Sequence, residues 1–196
     1  MFSTILTSII SLVFAVPSIQ LFVNRVEESV FINLSGEDEL LEQCVKSGFT
    51  LSYDFEAQLC QERFILADNC KERRKIKHFL TYDSITSKYA LRSDTLGDLQ
   101  EPSVSYYSSL KDARNALYQV NNIPLLFLAH RDETFYSSPD TYIQARVTSD
   151  CIGDHNQTIG DLSYYLTLGF YRISGFDTGW YEYSIKPFTP NTTEED

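Results

Sequence analysis

Three histidines, four cysteines, one carboxylate-rich loop and one run of basic residues are the parts of this chain whose types admit chemistry. His78 falls in Lys77-His78-Phe79, a basic strand-like stretch in which an outward-facing ring is expected. His130 opens His130-Arg131-Asp132-Glu133, where a strand closes into a turn and a solvated imidazole is expected over a general acid or base. His155 is the most suggestive, because Asp150, Asp154, Asn156 and Asp161 in the same loop bring oxygens that suit a hard cation of the calcium type. The spacing is not that of an EF-hand, and Asp, Asn and Gly also serve turns through their own hydrogen bonds. The candidate metal set is therefore Asp150, Asp154, His155 and Asn156, set against a plain loop as the expected reading. No Gly-x-Ser-x-Gly elbow, Walker loop, His-Glu-x-x-His or dinucleotide fingerprint occurs. A non-enzymatic chain without a cofactor is expected. A metal-dependent hydrolase stays open if His155 or His130 meets a carboxylate or nucleophile in space.

The cysteines depend on the compartment, and the N-terminus speaks to that. Residues 5–16 are apolar and uncharged, followed by small residues that suit a cleavage site, so residues 1–18 read as a secretory signal. No Lys or Arg precedes the apolar run, Arg25 being the first basic residue, and an uncleaved signal anchor is the alternative. The run is shorter than the roughly 20 residues that span a bilayer, so tight membrane insertion after cleavage is not expected. Export to the periplasm or cell envelope makes disulfides the default for Cys44, Cys60, Cys70 and Cys151. Four cysteines allow three connectivities, and the sequence does not choose among them. A Cys60 to Cys70 staple across a hairpin loop fits the strand pattern and leaves Cys44 with Cys151; four buried free thiols are the alternative. Sequons begin at Asn33, Asn156 and Asn191, with meaning only in a eukaryotic secretory pathway.

The chain of 196 residues carries a formal charge of -11, which disfavours nucleic acid and anionic lipid as partners. That charge is uneven. Residues 71–77 hold five basic side chains, Lys71, Arg73, Arg74, Lys75 and Lys77, and one acidic, a local +4 against -15 elsewhere. Such polarity can orient a partner protein, and the plainer reading is a solvated strand whose lysines discourage edge pairing. Trp180, flanked by Tyr181 and Tyr183, is either an aromatic platform for a ligand or a plug at one end of the core.

These residues need elements to place them. Residues 49–59 alternate without a fault, with Phe49, Leu51, Tyr53, Phe55, Ala57 and Leu59 on one side and Thr50 to Gln58 on the other, a long strand with one wet face. Residues 85–91 and 142–148 alternate likewise, the first with Ile85, Ser87, Tyr89 and Leu91 inward, the second with Ile143, Ala145 and Val147. Further strands are expected at 20–26, 29–34, 62–67, 75–82, 124–130, 166–173 and 179–186, and helices at 37–47 and about 109–120. Residues 93–107 read as the longest loop and the end of the chain as a frayed acidic tail. The expected architecture is α+β: a single domain over 19–187, mainly antiparallel and sandwich-like, with two short amphipathic helices on the sheet, then the tail at 188–196.

The order of a strand pair, a helix closing in Leu40-Leu41-x-x-Cys44-Val45-x-x-Gly48-Phe49-Thr50-Leu51, a segment Phe79 to Tyr89, another Tyr107 to Leu117, and a terminal Ser174-Gly175-Phe176-Asp177-Thr178-Gly179-Trp180 resembles the bacterial envelope family catalogued as domain of unknown function 4390. The resemblance covers roughly residues 20–187 and marks a divergent member, which lacks the family's proline-bearing stretch, here Asp161 to Leu166, and a second tryptophan near the end. It implies an exported domain of no established chemistry whose genes often neighbour sensor kinases. An envelope or membrane protein is thus the expected partner. A non-enzymatic interaction module is the function expected, with a small-molecule-sensing accessory of a sensor kinase as the alternative, which requires a concave, tyrosine-lined pocket.

Overall fold

The structure, a computed structural model, describes residues 16–24, 26–65, 67–96, 101–132, 135, 138–152 and 175–185. The chain starts with a hairpin of β1 (Ser18–Asn24) and β2 (Ser29–Ser35), in register from Ser18 opposite Ser35 to Asn24 opposite Ser29. Val26 lies in the turn and is exposed, because Asn24 Oδ1 accepts the Val26 N–H at 3.0 Å and ends the strand there. Helix α1 (Glu39–Lys46) follows, and Gly48 stops it in a left-handed conformation, φ +79°, that a Cβ disfavours. The Gly48 and Phe49 N–H groups then reach the Val45 and Cys44 carbonyls at 3.1 and 3.2 Å.

The faultless alternation becomes β3 (Thr50–Gln61), flanked on one side by β5 (Arg74–Asp83) and on the other by β9 (Thr141–Ile152). The strands β6 (Lys88–Leu96), β7 (Ser103–Tyr107) and β10 (Tyr181–Ser184) extend the sheet in the order β10-β9-β3-β5-β6-β7, with the two-residue β4 (Asn69–Cys70) beside β3. Every pairing is antiparallel, as expected. Helix α2 (Leu110–Leu117) leads into β8 (Gln119–Pro124), which joins the first hairpin as β1-β2-β8, and α3 (Leu125–Leu128) follows. The odd residues of β3, Leu51, Tyr53, Phe55, Ala57 and Leu59, share one buried cluster with Ile32 and Leu34 of β2, Leu41 and Val45 of α1, Leu117 of α2 and Val147 of β9. The two sheets thus enclose the core with the helices, the sandwich-like α+β arrangement anticipated.

Several boundaries differ for local reasons. The described residues of the run 62–67 form no strand: β3 ends where the Glu62 N–H turns to the Asp140 carbonyl at 3.0 Å, and Phe64 and Ile65 stand in solvent. The strand expected at 85–91 starts at Lys88. Asp83 Oδ1 accepts the Ile85 and Thr86 N–H groups at 2.8 and 3.3 Å, closing a turn over 84–87 that leaves Ile85 93% exposed. Residues 124–130 are helical through Leu128, since Pro124 ends β8 and the pair Leu125 and Leu128 turns inward at helical spacing. The expected loop 93–107 is largely β6 and β7, an edge pairing that its serines conceal. Helix α2 stops at Leu117, short of the expected 120, and is capped by Ser109, whose Oγ accepts the Asp112 N–H at 3.1 Å. The expected signal up to residue 15, the expected strand at 166–173 and the expected tail lie outside the described residues; Ser18 opens β1.

Both cysteine pairings favoured by the strand pattern are disulfides. Cys44 of α1 joins Cys151 of β9 on the core side, Cα to Cα 5.9 Å, and Cys60 joins Cys70 across β3 and β4 at 4.0 Å. Among the described residues no helix is long and apolar enough to cross a membrane.

Candidate functional site

The second face of the large sheet gathers the charged side chains. In antiparallel sheet, residues opposite one another share a face, so the even positions of β3 carry their partners with them. Gln144 of β9 and Gln58 form one row with Glu182 of β10; Arg146, Glu56 and Lys75 form the next; Thr148, Asp54 and Lys77 the third. Side-chain contacts follow those rows. Gln58 Nε2 donates to Gln144 Oε1 at 2.5 Å, and Gln144 Nε2 to Glu182 Oε1 at 2.8 Å. Lys75 Nζ lies 2.5 Å from Glu56 Oε1 and Lys77 Nζ 3.0 Å from Asp54 Oδ2. Helices α1 and α2 both lie over the opposite face, α1 through the Cys44 to Cys151 bond and α2 through its Leu117 carbonyl, 3.1 Å from His78 Nδ1.

Trp180 joins this polar face through a tightly fixed approach. The segment 175–180 runs along β9: Thr178 N–H donates to the Val147 carbonyl at 3.0 Å, and Thr178 Oγ1 accepts the Val147 N–H at 2.9 Å. Gly175 sits so close to Ser149 that a Cβ would fall 1.5 Å from its carbonyl oxygen, and only glycine fits there. Asp177 binds the Arg146 guanidinium through both oxygens, one contact at 2.9 Å, and accepts the Gly179 N–H at 2.9 Å. The Arg146 hydrogen bond, then that N–H, hold the Asp177 carboxyl down at about 2. The half-buried Trp180 ring lies with the Arg73 guanidinium 5.1 Å and the Arg146 guanidinium 6.0 Å from its centroid.

Of the residues singled out for an interaction, Arg73, Lys75 and Trp180 come together, with Lys77 one row away. Lys71 and Arg74 do not join them. Lys71 pairs with Asp132 at 2.9 Å and lies over the Phe135 ring; Arg74 stacks over Phe127 and donates to its carbonyl at 3.3 Å. The local +4 is therefore answered within the fold by Glu56, Asp54 and Asp132, and the strip is not a bare cationic patch. Sequence reasoning missed Glu56, Arg146 and Asp177. The alternation of β3 marks Glu56 as wet-faced, but only strand register reveals that Lys75 and Arg146 flank it.

Asp150 lies on the same face opposite Ser52, its Oδ1 accepting the Cys151 N–H at 2.8 Å, while Asp154, His155 and Asn156 lie outside the described residues. No group of three metal-ligating side chains occurs among the described residues. His130 Nε2 meets the Glu72 carbonyl oxygen at 3.0 Å. His78, expected to face outward, is instead buried among core residues on the odd face of the sheet, where burial lowers its pKa. Its register opposite Tyr53 decides the face, which the basic flanks disguised. Beside the polar face, a cleft of about 510 Å³ is lined by Glu62, Asp68, Asp140, Glu182 and Tyr142, a charged wall rather than a tyrosine-lined pocket.

A family model described as Domain of unknown function (DUF4390) matches residues 23–149, more than half of the chain. No curated protein and no solved structure matches it. Glu56, Arg73, Lys75 and Arg146 fall inside the matched span; Asp177 and Trp180 lie beyond it.

Proposed function

We propose that this chain, which belongs to the DUF4390 family, is an exported, non-enzymatic interaction module that engages another envelope protein through the polar face of its large sheet. The observation that carries this reading is the Trp180 ring held beside Arg73 and Arg146 on a face that α1 and α2 leave open. Tryptophan and arginine are the side chains most often found at the energetic centre of protein interfaces. Here a hydrogen-bonded carboxylate, Asp177, fixes Arg146, so the cluster is organised before any partner arrives. Export to the periplasm or cell envelope is supported by the apolar N-terminal run and by two disulfides, which persist in oxidising compartments.

The test is crosslinking and pull-down of the exported protein from its native envelope, wild type against Trp180→Ala. Loss of a co-purifying protein in the variant, with the melting temperature kept, is the expected result. Full retention of every partner removes this face from consideration.

A further inference from the structure

Glu56 is only 8% exposed, yet its two oxygens are treated unequally. Lys75 holds Oε1 at 2.5 Å, whereas Oε2 is buried and takes no hydrogen bond. Arg73 stands nearest, its guanidinium 3.8 Å from Oε2, close enough to feel the charge and beyond hydrogen-bond reach. A buried carboxylate oxygen without a donor is costly, and most such atoms in folded proteins are satisfied. The Arg73 side chain is 54% exposed and reaches across to the Trp180 ring, so it spans the gap without filling it.

An unsatisfied anionic acceptor and an indole face that share one guanidinium, that of Arg73, are the combination that receives a cation: the oxygen accepts an N–H and the ring quadrupole attracts the charge. We propose that Glu56 and Trp180 form a receptor for a guanidinium side chain of the partner protein, and that Arg73 is the chain's own occupant, which the partner's arginine displaces. Arginine suits the site better than lysine, because its planar fork can place one N–H on Oε2 while its face lies on the indole. The charge of -11 also draws basic partners. This inference rests on the interaction reading above and narrows it to the partner's chemistry.

Trp180 is the single tryptophan of the chain, so indole emission excited beyond the tyrosine absorption band reports on this site alone. The probes are the capped tripeptides acetyl-Gly-Arg-Gly-amide and acetyl-Gly-Glu-Gly-amide, titrated to millimolar concentration against the full exported chain. The arginine peptide should change Trp180 emission saturably, bind about tenfold more tightly to Arg73→Ala, which empties the receptor, and lose its effect on Glu56→Gln. The glutamate peptide should give no saturable change. Binding to Arg73→Ala that is equal, weaker or absent overturns the proposal, and this variant decides the matter even if Glu56→Gln fails to fold. A glutamate-peptide response that disappears in Arg73→Ala also overturns it, since Arg73 is then the contact and the partner acidic. In that case the interaction face survives; only partner capture unaffected by Trp180→Ala removes the face itself.

Discussion

Phe55 and Glu56 are consecutive residues of β3, and the two faces of the sheet onto which they look are held by different physics. Phe55 is 1% exposed and packs among Tyr53, His78 and the rest of the apolar cluster. Glu56 is nearly as buried, but among Lys75, Arg73 and Arg146, where each contact replaces one that water would make. The apolar face gains by leaving water, so it sets stability. The polar face gains little by doing so, and its ion pairs add little to stability. Each face also has its own disulfide, Cys44 to Cys151 on the first and Cys60 to Cys70 on the second.

The disulfides give the largest test of that contrast. Chain-entropy reasoning assigns about 4.8 kcal/mol to the long closure and about 2.7 kcal/mol to the short one, given sequence separations of 107 and 10. Paired substitution of Cys44 and Cys151 by serine should therefore cost far more, in denaturant midpoint, than the same change at Cys60 and Cys70. Equal losses would mean that the two faces share the load. Next come the neighbours themselves. Phe55→Ala should destabilise by about 3 to 4 kcal/mol through the cavity it leaves. Glu56→Gln should cost about 1 kcal/mol, because Lys75 and Arg73 are exposed enough to return to water. A reversal of that order would make the polar face the structural one.

The same contrast explains what was legible in the sequence. The alternation of β3 was readable because each face has a uniform character along the whole strand. The turn at 84–87 was not, because Asp83 closes it with side-chain acceptors while Ile85 mimics an inward strand position. The edge strand β7, Ser103–Tyr107, is exposed along all but its last residue, so Val104 and Tyr106 mark no buried face. Cys60 and Cys70 looked bridgeable across a hairpin, and their register as direct neighbours makes them so. The Trp180 site was visible only as separate parts: a basic run and a lone tryptophan. Their meeting depends on the register of β5, β3 and β9, which is information spread over three strands and absent from any local window.

A smaller effect comes from titration on the core face. Burial lowers the pKa of His78 in the fold, with the Leu117 carbonyl opposing weakly. The unfolded chain therefore takes up this proton first as pH falls. The stability that neutral His78 contributes is full above its ordinary value of 6.5 and declines below it. Denaturation midpoints measured from pH 7.5 down to 5 should fall in wild type and flatten in His78→Gln. An identical slope in both would place the responsible group elsewhere.

The smallest effect lies on the polar face and in a lower pH window. Asp177 titrates at about 2 in the fold against 3.8 when unpaired, so its contribution is present above 3.8 and is lost as pH falls toward 2. Its side chain is 47% exposed, and screening by water and salt keeps that contribution small. Salt separates the two windows. At about 1 M ionic strength the screening length is about 3 Å, which weakens the exposed Arg146 to Asp177 pair and leaves the desolvation of His78 intact. Raising salt should therefore shrink the loss below pH 4 and spare the loss below 6.5. Asp177→Asn should reduce the lower window, which Asp83 shares, and should abolish the acid change in Trp180 emission, because Arg146 is then released from the carboxylate that aligns it with the ring. Acid quenching of Trp180 that persists unchanged in Asp177→Asn would place its origin outside the Arg146 to Asp177 pair and overturn the role of that carboxylate in aligning Arg146 with the ring.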